Sequence, residues 1–218
     1  MKLFLPALVL MASGPQVLIA QSADSVLDRA VAAYSRVQTL RARFTQAIRD
    51  PMLGDATSRG ELIQQRPNRF AMRWTQPRGD VLMADGTWLW VYLPSSTPGQ
   101  VVKSSLTGRG AANPDIIADF LDRPRERFTV SYVRGESVGE RPADVLSLVP
   151  RQRGNLPYSR VLVWIDRRDG LPHQVEITEA SGVVRRITLD RIEINPALPA
   201  AAFAFRAPAG ARIIDASN

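Results

Sequence analysis

The chain has 218 residues, no cysteine, one histidine and a formal net charge of +7. The lack of cysteine excludes disulfide bonds, thiolate metal sites, a cysteine nucleophile and lipid attachment to a cysteine of this chain. A single histidine excludes a multi-histidine metal site. Hydrophobic residues make up 45% of the chain and charged residues 22%, which is typical of a globular protein and excludes global disorder.

The positive charge comes almost entirely from arginine, since all but two of the 28 basic residues are arginines. They are spread along the chain, with no dense basic block and no nucleic-acid-binding motif. This distribution favours solvated arginines over a nucleic-acid partner.

The N-terminus has the pattern of a secretory signal peptide. Lys2 precedes an apolar run, Leu3–Ala20, which two prolines and a glycine interrupt. Such a run is too broken for a membrane-spanning helix. We therefore expect residues 1–20 to be a signal peptide, cleaved after Ala20 or Ser22, and residues 21–218 to form a single exported, soluble domain.

The next segment predicts an amphipathic helix that ends near Thr39. Ser25, with Asp28 three residues later, resembles a helix cap. Apolar residues follow at helical spacing and define one buried face: Val26, Leu27, Ala30, Val31, Tyr34 and Val37.

From there the apolar pattern has a period of two, which predicts a long series of antiparallel strands. Asp85-Gly86 is a strong signal for a two-residue hairpin turn. The strands are predicted at Arg41–Asp50, Arg59–Gln65, Arg69–Gln76, Asp80–Ala84, Thr87–Leu93, Gln100–Lys103, Arg127–Arg134, Ala143–Val149, Arg160–Asp166, Gln174–Glu179, Val183–Asp190 and Arg191–Ile194, with short edge strands at Phe203–Phe205 and Arg212–Ile214.

One short helix interrupts the strands. Asn113 suits a helix N-cap and Pro114 the first helical position. An apolar stripe follows: Ile116, Ile117, Phe120 and Leu121.

These elements predict a mainly β fold with a helix before the sheet and a helical insert in its middle. A twisted sheet of this many strands must close or be covered on one face. Two helices cannot cover it completely, so the sheet is either a closed barrel or a half-open barrel with an apolar cavity under the helices.

Candidate catalytic residues are few. Asp85 and Asp169 each precede a glycine in a turn, where aspartate acts on the backbone. His173 begins a strand and is interpreted as a surface histidine. No serine lies in a nucleophile-elbow motif, and no phosphate-binding or calcium-binding loop is present. The sequence gives no support for an enzyme, a metal site or a cofactor.

Aromatic residues cluster in the middle strands. Phe70, Met72 and Trp74 alternate along one strand and so share a face. Trp88, Trp90 and Tyr92 share a face of another strand, opposite Leu89, Val91 and Leu93. From the pattern alone, these residues are equally compatible with a barrel core and with a ligand surface.

Several motifs in this order resemble the periplasmic outer-membrane lipoprotein carrier family, LolA. They span essentially all of the chain after the predicted signal peptide and match less closely from Ala111 to Leu156. The motifs are Phe44-Thr-Gln46, Arg66-Pro67-Asn68-x-Phe70, Thr75-Gln76-Pro77, Asp85-Gly86-x-x-Leu89-Trp90-x-Tyr92-x-Pro94, Arg167-x-Asp169-Gly170-x-x-His173 and Phe203-x-Phe205-x-x-Pro208-x-Gly210.

The resemblance implies an unclosed antiparallel β-barrel with a helical lid over an apolar cavity. It also implies a monomeric periplasmic carrier that takes acylated lipoproteins from an inner-membrane ABC exporter and delivers them to an outer-membrane lipoprotein acceptor. Arg66 matches an arginine that holds the lid shut by hydrogen bonds to lid carbonyls, and Phe70 matches a cavity position. Strand parity adds Met72 and Trp74 to the cavity wall, and Ile116, Ile117, Phe120 and Leu121 fit the underside of the lid.

Three alternatives remain. The acceptor protein has the same fold, but it is anchored by an acylated cysteine and carries an apolar residue on a projecting loop. The loops Gln76–Asp80 and Pro94–Gln100 contain no leucine, isoleucine or phenylalanine, so the carrier is favoured. The second alternative is a periplasmic lipid-binding or envelope-stress-sensing module, and the third is a lipid hydrolase that uses the same cavity.

Overall fold

The computed structural model describes residues 22–107, 115–152 and 156–217, and the predicted signal peptide lies outside them. The first helix, α1, spans Ala23–Ser35, and Val26, Leu27, Ala30 and Tyr34 on its apolar face are buried. Its cap is Ser22, whose hydroxyl accepts the backbone N–H of Ser25 at 3.1 Å. The prediction that Ser25 is the cap was wrong, because that residue already lies in the first turn and donates to the cap.

The described residues contain twelve strands and, besides α1, two short helices. The predicted strand Arg69–Gln76 has the same bounds in the structure, and most others agree within a few residues. The prediction of two strands at Val183–Asp190 and Arg191–Ile194 was wrong, because Val184–Ile194 is one strand that pairs with the first strand through a local register shift. In chain order the elements are β1 Thr39–Asp50, β2 Gly54–Gln65, β3 Arg69–Gln76, β4 Arg78–Asp85, β5 Trp88–Tyr92, β6 Gln100–Ser105, α2 Ile116–Leu121, α3 Pro124–Arg127, β7 Phe128–Val138, β8 Arg141–Pro150, β9 Tyr158–Asp166, β10 Pro172–Glu179, β11 Val184–Ile194 and β12 Arg212–Asp215.

All twelve strands belong to one unclosed sheet, in the order β12-β6-β5-β4-β3-β2-β1-β11-β10-β9-β8-β7. The fold class, a mainly β half-barrel with few helices, is therefore confirmed. The sheet is two meanders, β1–β6 and β7–β11, joined by the antiparallel pair β1 and β11. Because β6 and β7 lie toward opposite edges, the chain between them has to cross from one half of the sheet to the other, and this crossing segment carries α2 and α3.

Each face of the sheet is covered by a different part of the chain. The inner face, defined here as the side covered by α1 and α2, holds the main apolar core. The outer face is covered by the C-terminal segment, where Phe203 packs with Ile63, Ala71 and Met83. The edge strand predicted at Phe203–Phe205 was wrong, because residues 200–203 form a 3₁₀ turn that inserts Phe203 into this cluster. The predicted edge strand at residues 212–214 is confirmed as β12, which pairs in parallel with β6.

Buried ion pairs attach α1 to the second meander. The Asp144 carboxylate of β8 has no exposed surface and binds Arg29 of α1 at 2.8 Å and Arg167 at 2.7 Å. Two arginine partners offset the cost of removing this carboxylate from water. A second contact, from Arg125 of α3 to two aspartates of α1, is more exposed and weaker. The helix is thus a fixed part of the inner face.

A glycine in β2 allows the wall of the inner face to pack closely. A Cβ atom on Gly60 would lie 2.1 Å from the Arg73 carbonyl oxygen and 2.7 Å from the Phe44 ring. That ring in turn meets Trp74 edge to face, with 5.3 Å between the ring centroids. Only glycine fits at this position without moving the backbone of β3.

We predict that Gly60→Ala lowers the free energy of unfolding by about 3 kcal/mol, because the added methyl overlaps backbone and a buried ring. Urea denaturation followed by circular dichroism measures the loss. Ala56→Val is the matched control, since it adds side-chain volume at an exposed position of the same strand. Its expected loss is about 1 kcal/mol or less, and equal losses in the two variants would contradict the packing argument.

Candidate functional site

Strand β3 contributes the predicted aromatic wall. Phe70 and Met72 are fully buried and Trp74 is half-buried, and all three lie in the inner-face core. Three of their cross-strand neighbours on that face, Leu62, Leu82 and Ala84, are apolar as well, and Gln64, opposite Phe70, is polar. The structure thus brings the three wall residues together on one face, and their role in binding acyl chains stays a prediction.

The lid is the crossing segment with α2. Its described apolar residues, Ile117, Phe120 and Leu121, are buried in the same core, while the side chain of Ile116 lies outside the described residues. The Phe120 ring meets Phe128 and Tyr158 at centroid distances of 6.3 and 5.8 Å. The underside of the lid therefore faces the inner wall, as the apolar stripe predicts.

The helix cap of the lid differs from the prediction. Asp115 is the N-cap of α2, and its Oδ1 accepts the backbone N–H groups of Ile117 and Ala118 at 3.1 and 2.9 Å. The predicted cap, Asn113, and Pro114 lie outside the described residues. At the other end of the lid the Arg127 guanidinium binds the carbonyl and the carboxylate of Asp119, which ties α2 to α3.

Ile117 of the lid packs closely against the wall beneath it. Ile117 approaches Leu62, Val175, Ile187 and Leu189, and the apolar void among them measures only about 10 Å³. A void of that size barely holds one water molecule. An acyl chain needs much more room, so the lid side chain and the wall are in close contact at this point, with no space for a chain between them.

Arg66 lies beside the lid on the β2–β3 turn. Its guanidinium stands over the Tyr34 ring at 4.3 Å, a cation–π contact. Its positive charge also lowers the pKa of Asp115, against the larger effect of burial, which raises it. Among the described residues no side-chain hydrogen bond from Arg66 to the lid is seen, and the carbonyls of residues 108–114 are not described. Whether Arg66 binds lid carbonyls therefore stays a prediction.

A buried polar cluster under the lid was missed by the sequence analysis. The Tyr34 hydroxyl donates to Oδ2 of Asp115 and accepts Nε2 of Gln64 at 2.6 Å. Tyr34 and Asp115 are 81 positions apart, so no local motif connects them. The one signal in the sequence is the tyrosine itself, because its hydroxyl needs a hydrogen-bond partner at a position of the α1 face where a purely apolar residue would pack as well.

The second aromatic group lies away from the lid. Trp90 stacks on Phe205 with 5.3 Å between the ring centroids, and Tyr92 lies 6.4 Å from the same ring. Lys103 sits 3.4 Å above the Trp88 ring. Because Trp90 is paired with Met83 of the outer-face cluster, these aromatics anchor the C-terminal segment and do not line the inner face.

The two turn aspartates are confirmed as backbone-binding residues. Asp85 accepts the N–H groups of Thr87 and Trp88, both at 2.8 Å. Burial alone would raise the pKa of this carboxyl, but these bonds and one from the Trp90 indole lower it. Asp169 accepts the N–H of Leu171 at 2.8 Å.

His173 was predicted to be a surface residue, and this prediction was wrong, because its side chain is buried and only 5% exposed. Its Nε2 lies 2.9 Å from Asp169, and Asp166 completes a group whose ligand atoms lie within 4.8 Å of one another. Arg141 binds both carboxylates at 2.6 Å, so a cation would have to displace it. These contacts make the group an ion-pair cluster that stabilises the β9–β10 turn.

One projecting apolar loop escaped the sequence analysis, which considered only two other loops. Met52 and Leu53 at the β1–β2 turn are 92% and 89% exposed. Asp50 holds this turn by accepting both of their N–H groups at 2.8 and 3.0 Å. An apolar projecting loop is therefore present, but it lies at the β1–β2 turn and not at Gln76–Asp80 or Pro94–Gln100.

We predict that Ile117→Ala enlarges the void under the lid, lowers the free energy of unfolding by about 2 kcal/mol or more, and strengthens binding of a small apolar fluorescent dye. Denaturation and dye titration measure the two effects. Ile213→Ala, at a position 51% exposed on β12, is the matched control and should change stability by about 0.5 kcal/mol at most. Unchanged dye binding by Ile117→Ala would mean that the lid does not fill the site.

No helix in the described parts of the chain is long and apolar enough to cross a membrane.

Among solved structures, the fold is similar to an uncharacterized conserved protein from Thermus thermophilus, at 14% identity and a TM-score of 0.55, covering 88% of this chain and 98% of that one. It is also similar to MucB, at 17% identity and a TM-score of 0.51, covering 88% of this chain and 65% of that one. At these identities the likeness concerns the fold alone.

Sequence relatives are more specific. The outer-membrane lipoprotein carrier protein of Ralstonia nicotianae is 30% identical over 214 residues, covering 94% of this chain and 95% of that protein. The carrier of Alkalilimnicola ehrlichii is 30% identical over 191 residues, covering 85% and 81%. The sequence profile of the family "Outer membrane lipoprotein carrier protein LolA" matches residues 35–206. This chain therefore belongs to the LolA family of outer-membrane lipoprotein carrier proteins.

Proposed function

We propose that this protein is a periplasmic carrier, without enzymatic activity, that binds the acyl chains of lipoproteins and moves them between the two membranes. The observation that carries the proposal is an apolar inner wall covered by a short lid whose own apolar side chains pack against it. Membership of the lipoprotein carrier family supports the same conclusion. The site consists of Phe70, Met72 and Trp74 on the wall and Ile116, Ile117, Phe120 and Leu121 on the lid.

The energetics favour an exchange of one apolar cover for another. Each buried CH₂ contributes about 0.8 kcal/mol, so a chain of about fifteen methylenes gains roughly 12 kcal/mol when it is fully buried. Seating Ile117, Phe120 and Leu121 gains about 1.5–3 kcal/mol per side chain. Opening the lid removes the burial of these three side chains, so their contribution is subtracted from the free energy gained by burying the acyl chain. The net affinity is therefore lower, and binding is more easily reversed. A carrier needs this property because it must release what it binds.

Within this proposal Arg66 stabilises the closed lid. Its guanidinium is placed to attract the Tyr34 ring and the Asp115 carboxylate, one on α1 and one on the lid. Five N–H donors also suit it to bind several lid carbonyls at once. The closed state that Arg66 favours competes with bound acyl chains and so promotes release.

The proposed partners follow from this cycle. A membrane-embedded ABC exporter supplies the acylated lipoprotein, and an acceptor lipoprotein in the outer membrane receives it. Residues 1–20 would direct export to the periplasm, and residues 21–218 would act as one monomeric domain. The aliphatic, aromatic and methionine side chains of the wall suit chains of varied length, since they adapt their packing.

We predict that Arg66→Leu still loads lipoprotein but retains it about tenfold longer, because the closed state that competes with the cargo is weakened. Vesicles that hold a labelled triacylated lipoprotein, the exporter and ATP would be incubated with the mature protein. The release of a soluble one-to-one complex, and its transfer to the acceptor, are measured. Arg69→Leu, an exposed arginine beyond the same turn, is the control and should transfer normally.

Two other outcomes would replace the proposal. If no lipoprotein is released but free lipid or a regulatory protein binds the inner face, the protein is a lipid-binding or stress-sensing module of the same fold. If bound lipid is cleaved, and substitution of a serine or aspartate at the site stops the cleavage, it is a hydrolase.

A further inference from the structure

The lid is held in place by directional polar contacts as well as by apolar packing. Asp115 uses one carboxylate oxygen to cap α2, through the N–H groups of Ile117 and Ala118. Its other oxygen accepts the hydroxyl of Tyr34 on α1, and Gln64 of β2 donates to the same hydroxyl. A single lid residue therefore bonds to the lid helix and to α1, and reaches the sheet through Tyr34.

Burial makes these bonds strict. Asp115 is 7% exposed, Tyr34 2% and Gln64 1%, so water cannot replace a bond that is lost while the lid is closed. A buried polar group without a partner is costly, more so when it is charged. Apolar contacts would tolerate a small shift of the lid, whereas this chain of bonds allows one position.

We propose that the Tyr34–Asp115 contact is the positioning lock of the lid, which fixes its closed position against α1 and separates when the lid opens for cargo. The part of this inference that rests on the proposed carrier function is the identity of the cargo that opens the lid. Tyr34 is suited to the role because α1 is itself fixed to the sheet through Arg29 and Asp144. Arg66, above the Tyr34 ring, adds a compensating positive charge.

The burial of Asp115 in the closed lid also makes closure depend on pH. Burial raises the pKa of Asp115 above its ordinary value of 3.8, although the bonds from Tyr34 and the lid backbone and the charge of Arg66 oppose this. Burial and the Asp115 carboxylate raise the pKa of Tyr34, so its hydroxyl remains a donor. The closed lid thus binds a proton at Asp115 more tightly than the open, solvated lid. Closure should strengthen as the pH falls toward 3.8 and weaken as it rises.

The test is hydrogen exchange of the α2 amides in the protein without cargo, corrected for the intrinsic pH dependence of exchange. Tyr34→Phe removes only the hydroxyl, and we expect it to lower α2 protection at least about tenfold, because Asp115 loses a buried partner. Gln64 loses its partner in both backgrounds, so the comparison between them isolates the contact with Asp115. Asp115→Asn keeps an oxygen for the helix cap but removes the charge. In that background Tyr34→Phe should change α2 protection less than about threefold.

Two controls separate the lock from general stability. Tyr92→Phe, on the outer face, should leave α2 protection unchanged, and the amides of β8 report global unfolding in every variant. Wild-type α2 protection should rise on acidification toward pH 4, and Asp115→Asn should abolish this rise.

Equal effects of Tyr34→Phe in the wild-type and Asp115→Asn backgrounds would overturn the lock, and an unchanged pH profile in Asp115→Asn would refute the pH dependence assigned to Asp115. Both readouts are independent of transfer, so a protein that carries no lipoprotein could still show the lock. A protein that carries lipoprotein normally but shows no coupling would refute only this inference.

Discussion

The inner face of the sheet is apolar across much of its width, and leaving it in contact with water costs free energy in proportion to its area. The sheet does not close, so it cannot hide this face by itself. The chain covers it with α1 and α2, which share one continuous core with β3 and its neighbours. The two helices that cover this face make different contacts with the rest of the protein.

The two covers differ in how they are attached. Helix α1 has 13 residues, and its Arg29 reaches the fully buried Asp144 of β8. Helix α2 has six residues, and among the described residues its polar contacts include those of the capping Asp115 and of Arg127 in α3. On the outer face Phe203 and Phe205 cover the strands from the other side. The C-terminal segment thus packs on the outer face of the sheet, and α1 is fixed to the sheet by an ion pair. Within the described residues, the lid helix is shorter than α1 and is held by its cap, by α3 and by apolar packing.

Local sequence patterns were sufficient for the strands and for the residues that share a face. The alternation Phe70, Met72, Trp74 placed these residues on the inner wall correctly, since side-chain direction along a strand has a period of two. The cap of α1 was predicted at the wrong serine, because Ser22 and Ser25 carry the same side chain and only the backbone geometry distinguishes them. The strand predicted at Phe203 failed because packing on a distant cluster outweighed the local pattern.

Contacts between residues far apart in sequence could not be predicted in this way. Neither Arg29 with Asp144 nor Tyr34 with Asp115 leaves a local signal, since each pair joins separate elements. His173 was misplaced for the same reason, because Arg141, a distant residue, makes its buried turn favourable. The sequence therefore predicted the apolar surface of the candidate site but not the polar contacts that hold its lid.

The length of the lid helix connects these observations. Isolated helices shorter than about 12–15 residues are marginal in water, so a six-residue helix depends on its cap and on the wall beneath it. Once the lid separates from Tyr34 and the wall, little remains to keep α2 helical. Unwinding would return backbone entropy of about 1–2 kcal/mol per residue, which offsets part of the lost packing. On this reasoning the proposed opening would be an order-to-disorder change of a small segment, in which α1 and the wall keep their positions and only the cover is exchanged.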